Sequence, residues 1–205
     1  MWGIGERHGR QLGPLSAIMD TPGKLAIIIG TQTPTSVVHF QRIASSIAQN
    51  LYTYFGAEID IRFDNDTEIT RLEGNIICLG MEDENSYIQE VIAESNVRTK
   101  PFPIRAKNSV VTINDTSSVH TYHGDGVGAV YLHPLETSRL LMIICGTDAK
   151  GLERAAKLFP YRTGVGQPDW VVVGLKMGVY GMEGVEAMGY YNNLWDIEPA
   201  VSWFS

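Results

Sequence analysis

The chain predicts an α/β fold: three layers, with a mainly parallel central sheet, helices on both of its faces, and an antiparallel insertion or extension. Three observations lead there. Continuous apolar runs at Leu25–Ile29, 75–79 and 140–145 stop at Gly30, Gly80 and Gly146. A helix-forming pattern follows each run. Polar alternation, the mark of a half-exposed strand, is absent from all three. Repeated strand–turn–helix units usually pair their strands in parallel beneath the helices.

Residues 1–24 hold five glycines and two prolines without a helical or alternating period, and they predict an irregular lead-in to one α/β domain over 25–205. After Leu25–Ile29, Pro34 and Thr35 open a long helix. Its inward stripe is Val37, Phe40, Ala44, Ile47, Leu51 and Phe55, and Gly56 is its stop. Residues 57–63 alternate Ile59, Ile61 and Phe63 with polar neighbours, as a strand near an edge does. Asp83 or Asn85 can cap a second helix that turns Ile88, Val91 and Ile92 inward. The third unit ends in a helix through Leu152, Ala155, Ala156 and Phe159, closed by Pro160. Residues 97–135, with Pro101, Pro103, the Val110–Ile113 alternation and Gly124, Gly126 and Gly128, predict hairpin-like strands. Further strands follow from Trp170, and the chain closes on Trp195, Trp203 and Phe204.

Composition narrows the function classes. The 205 residues carry 16 basic and 23 acidic side chains, a net charge of −7. No Lys/Arg cluster interrupts that acidic balance, which argues against nucleic acid and anionic membrane surfaces as partners. No apolar run approaches the roughly 20 residues of a membrane-spanning helix. Residues 1–5 show no basic segment leading into an apolar one, so no signal peptide is predicted there.

Ligands of open parallel sheets gather at the carboxyl ends of the strands. That directs attention to Thr31 and Gln32, to Glu82, and to Thr147 and Asp148 as a weak ligand-binding set. None of these corners is GxGxxG or GxxxxGK[ST], and the carboxylates of Glu82 and Asp148 would repel phosphate. Helix caps and tight turns are the plainer explanation of the same residues. Residues 124–128 do not follow a strand and open a helix as a dinucleotide fingerprint must; a turn between strands is expected there, and no cofactor is predicted. His120, His123 and Asp125 fall within six residues, but the odd spacing of the histidines sends them to opposite faces of an extended segment, so no metal is predicted. GxSxG is absent and no catalytic residue is assigned. Cys78 and Cys145 sit inside apolar strands and read as inert, free thiols. Asn65-Asp66-Thr67 and Asn114-Asp115-Thr116 are sequons in polar, turn-like settings, making Asn65 and Asn114 possible glycosylation sites in a secreted context.

Several segments together resemble a known domain: Gly13-Pro14-Leu15, residues 25–31, Ile77-Cys78-Leu79-Gly80 with Asn85-Ser86, residues 141–152, Leu158-Phe159-Pro160 and residues 168–174. Across about residues 12–195 they are similar to the C-terminal α/β domain that follows an α/β-hydrolase module in large secreted serine peptidase-like or esterase-like proteins of fungi and bacteria. The resemblance implies that the reaction belongs to an upstream module, that the parent family is secreted, and that no catalytic residue carries over onto this chain. The resulting expectation is a non-catalytic accessory or interaction domain. Its partner would be a hydrolase domain or a second copy, met through Trp2, Trp195, Trp203 or Phe204; the alternative for these aromatics is that they complete the domain's own core. A different class of function is a small-molecule or carbohydrate-binding protein using the strand-end crevice. A hydrolase with an unrecognised triad would need a serine within hydrogen-bond reach of one of the five histidines.

Overall fold

The computed structural model describes residues 5–98, 101–160 and 167–205. Four strands, β1 (Leu25–Ile29), β2 (Ile59–Phe63), β3 (Ile76–Leu79) and β8 (Leu140–Gly146), pair in parallel in the order β8-β3-β1-β2. The antiparallel strands β7 (Gly128–Pro134), β9 (Trp170–Val173), β10 (Val185–Gly189) and β11 (Trp203–Phe204) extend them to an eight-stranded sheet, β11-β10-β9-β7-β8-β3-β1-β2. A separate antiparallel sheet holds β4 (Ile104–Lys107), β5 (Val110–Asn114) and β6 (Val119–His123). The helices among the described residues are α1 (Pro34–Phe55), α2 (Ser86–Arg98), α3 (Ala149–Ala156) and the single turn α4 (Met177–Tyr180).

The expected three-layer, mainly parallel α/β fold is therefore incorrect. Three pairings of the large sheet are parallel and four are antiparallel, and a second, wholly antiparallel sheet stands beside it. The physical cause lies in β7. It joins β8 through a tight turn in which Leu135 N–H donates to Arg139 O, and so short a connection allows only antiparallel pairing. All seven β7 residues are buried, and a run apolar on both faces looks the same in either direction.

Residues paired across a sheet share a face, so Cys78, Ile143 and Tyr131 point the same way. The small sheet packs there: Phe102 just before β4 sits 4.4 Å from His133, and His120 of β6 stacks on Phe204 at 3.9 Å. On the opposite face α3 lies very close to β7; a Cβ on Gly128 would come within 2.1 Å of Gly151 O, so only glycine allows this approach. Beside α3 runs α1, held by an Arg42–Glu153 ion pair and by His39 Nε2, 3.3 Å from Ala149 O.

In α1, Phe40, Ile43, Ala44, Ile47 and Leu51 are buried, whereas Val37 is half-buried and Phe55 is exposed beside the left-handed Gly56 (φ 64°). The third helix stops at Ala156, short of the expected Phe159, although Phe159 still packs in the core. Two short 3-10 turns, Gly9–Gln11 and Leu15–Met19, precede β1, and they bury Leu15 and Ile18 completely.

Candidate functional site

Because β1, β3 and β8 are parallel neighbours, their carboxyl ends share one edge of the sheet. Thr31, Glu82 and Thr147 follow those ends, and Asp64 follows β2. Three separate ties hold the five predicted residues, which do not converge on one ligand position.

The first tie is the carboxylate of Asp64. It accepts from Thr31 Oγ1 at 2.6 Å, from Ser86 N at 2.7 Å and from Ser86 Oγ at 2.9 Å. Burial opposes its charge, but the hydrogen bonds from Thr31 and Ser86 outweigh it and hold the carboxyl below the usual aspartate range. Asp64 thereby fastens the ends of β1 and β2 to the first turn of α2, where a carboxylate also suits the helix dipole. Asn85 adds its own cap, its Oδ1 accepting from Tyr87 N at 3.1 Å. Gln32 is exposed, and its backbone N–H donates to Glu84 O at 3.1 Å. Gly30 makes this junction possible: a Cβ there would lie 2.3 Å from Glu84 O.

The second tie is Glu82. It is 3% exposed and accepts both arms of the Arg105 guanidinium, so it joins β3 to the small sheet and does not face a crevice. Arg105 could not be found from sequence, since a lone arginine in a short alternating strand carries no sign of its partner.

At the third corner Thr147 Oγ1 donates to Gly124 O at 2.6 Å. Asp148 caps α3, with Oδ1 accepting from Gly151 N at 2.7 Å and Oδ2 from Gly126 N at 3.0 Å. The helix N-terminus that could have held an anion is filled by the chain's own carboxylate. Gly124–Gly128 is the turn between β6 and β7, folded onto that cap.

The β5–β6 hairpin brings Ser118, His120 and Asp115 together. Among the described residues no three His, Cys, Asp or Glu side chains converge as metal donors. Ser118 Oγ lies 2.9 Å from His120 Nε2, which meets the distance requirement for a serine–histidine pair. Asp115 Oδ2, however, contacts the same Nε2 at 3.2 Å. A triad needs the acid on one ring nitrogen and the serine on the other, so this hairpin cluster is not wired for proton relay. Elsewhere, a groove of about 1100 Å³ between α1 and α3 is lined by Arg42, Ser46, Asn50, Tyr54 and Phe159 among others, and none of the five strand-end residues reaches it.

No protein-family model matches the chain. The chain is similar to a secreted protein. Over 203 residues, 96% of this chain, it is 30% identical to a protein of Arthroderma benhamiae named "Uncharacterized secreted protein". The chain spans about a fifth, 20%, of that relative's length. Among the described residues no helix is long and apolar enough to cross a membrane.

Of the aromatic residues expected at a junction, Trp195 is buried, Phe204 packs against the core and Trp203 is 49% exposed. Trp2 lies outside the described residues. Cys78 and Cys145 are both buried and free.

Proposed function

We propose that the chain is a non-catalytic accessory or interaction domain of a larger secreted protein, in which an α/β-hydrolase module lies upstream. The observation that carries this reading is how the strand ends use their polar groups. Thr31, Glu82, Thr147 and Asp148 bond to Asp64, Arg105 and the Gly124–Gly128 turn, so the usual ligand edge of a parallel sheet serves as internal fastening. The match to a fifth of a longer secreted protein supports a part within a larger whole. An interaction role is supported by Leu175, Val179, Tyr180 and Met182, each more than half exposed.

A fluorophosphonate serine probe tests both halves. This chain should give no heat-sensitive labelling, while the full-length relative should be labelled at a serine outside the matched fifth. Specific, heat-sensitive labelling of this chain would overturn the non-catalytic reading, and an unlabelled relative would remove the hydrolase module from it. For the interaction face, Val179→Lys should abolish concentration-dependent self-association seen by light scattering, and an unchanged profile would count against that face.

A further inference from the structure

Nine asparagines occur in the chain, and two of them begin sequons, Asn65-Asp66-Thr67 and Asn114-Asp115-Thr116. The fold treats these two unlike the asparagines it uses structurally. Asn75 and Asn85 are fully buried, donate to the carbonyls of Ile18 and Leu79 respectively, and carry no sequon. Asn65 and Asn114 are exposed, as are the hydroxyl-bearing Thr67 and Thr116. Both lie where a strand turns back. Asn65 follows β2 in a turn closed by Asp66 N–H donating to Phe63 O at 3.0 Å, and Asn114 ends β5 in a turn organised by the Asp115 carboxylate. A sequon becomes informative when its asparagine is on a surface loop of a secreted chain.

Asn65 has a neighbour that gives a glycan there a task. β2 is the last strand of the large sheet, so one of its edges is unpaired among the described residues. Ile61 and Phe63 on this strand are 41% and 38% exposed. A free edge with apolar side chains invites pairing with another chain, and proteins block such edges with charge, bulges or cover. Asp60 and Arg62 supply charge on the alternate positions; Asn65 lies two residues beyond Phe63.

We infer that Asn65 and Asn114 are N-linked glycosylation sites, and that the glycan on Asn65 stands over the free edge of β2 and prevents it from pairing with a second copy. In the transfer, catalysed by the host's own enzyme, the side-chain amide nitrogen bonds to the anomeric carbon of a lipid-diphosphate-linked oligosaccharide. The amide loses one proton, and the lipid diphosphate departs with the electron pair of the broken bond.

The inference rests on the secreted part of the functional reading. Its test therefore uses the full chain behind a general secretion leader in a eukaryotic host, so that acceptance of the sequons is read whether or not the accessory role holds. Peptide N-glycosidase should collapse two mobility steps and leave aspartate at 65 and 114, read by mass spectrometry. Asn65→Gln and Thr67→Ala should each remove the same step, Thr67→Ser should keep it, and Asn114→Gln should remove the other. With the other association face removed by Val179→Lys, light scattering should show the Asn65→Gln protein associating as concentration rises while the protein glycosylated at Asn65 does not. Adding Phe63→Lys to Asn65→Gln should restore the smaller species. A secreted chain without an Asn65-dependent step overturns the site. Association that ignores the Asn65 glycan and is cured by Val179→Lys overturns the edge role and leaves the interaction reading standing.

Discussion

Replacing Arg7 by alanine tests how the first residues are built into the fold. Arg7 and Asp169 form an ion pair at 2.6 Å with only 7% and 2% of their side chains exposed. The guanidinium also donates to the carbonyls of Gln11, Gly13 and Tyr191, and it lies 4.8 Å from the Trp195 ring centre. Burial pushes the Asp169 carboxyl up even with Arg7 beside it. Removing Arg7 therefore strands a buried carboxylate that Tyr191 N alone would still address. Two routes give the size of the loss. Breaking one side of a buried pair costs about 3–5 kcal/mol. The stranded carboxyl can instead take a proton, which at pH 7 costs about 4 kcal/mol from an unperturbed aspartate pKa near 3.9. Both agree on about 4 kcal/mol, or about 10 °C in Tm for a chain of this length. Urea denaturation of wild type and Arg7→Ala at pH 7 and pH 5 measures it. The deficit should shrink at pH 5, because protonating the stranded Asp169 becomes easier by up to about 1.4 kcal/mol per pH unit. A loss below about 1 kcal/mol, or one that grows as pH falls, would refute the reasoning and make residues 5–13 an ornament on the fold.

Other tests address the core. Burial first, with Arg105 nearby, pushes the His133 imidazole down to about 4, so the fold holds it neutral while the unfolded chain takes a proton below about pH 6.5. Stability should fall as pH drops from 6.5 towards 4, by a total of about 3 kcal/mol, and His133→Phe should flatten that limb in denaturant titrations at stepped pH. Gly146→Ala should destabilise by about 1–3 kcal/mol or more, because its Cβ would meet Leu152 N at 2.1 Å, backbone against backbone; an unchanged Tm would show that α3 can move away from β8. Cys78 and Cys145, whose thiols burial pushes up, should react with a thiol reagent only after denaturation. Prompt labelling of the native protein would contradict their burial.

Much of the local structure was legible. The apolar runs ending in glycine are β1, β3 and β8, they do pair in parallel, and the stripe from Phe40 to Leu51 is the buried face of α1. Asp148 as the cap of α3 was also readable, since an aspartate before a helical pattern has few other roles. What could not be read was direction and partnership. β7 is as apolar as a parallel strand yet runs against both β8 and β9. Glu82 looked like a crevice carboxylate until Arg105, 23 residues away, was seen beside it. Asp64, which holds together the edge where Thr31 was expected to face a ligand, went unnoticed because an aspartate after a strand reads as an ordinary turn residue.

The sequence alone determined the apolar runs that become β1, β3 and β8, the buried stripe of α1 from Phe40 to Leu51, the cap at Asp148 and the positions of the sequons. These follow from periodicity, glycine stereochemistry and local polarity, which act over a few residues. Tertiary structure alone decided that the sheet is mixed, that the strand-end polar groups bond to one another, and that Arg7 closes onto Asp169 across 162 positions. The reason is that strand pairing and buried charge compensation join residues far apart in the chain. A carboxylate's chemistry depends on the group placed opposite it, and only the folded chain selects that group.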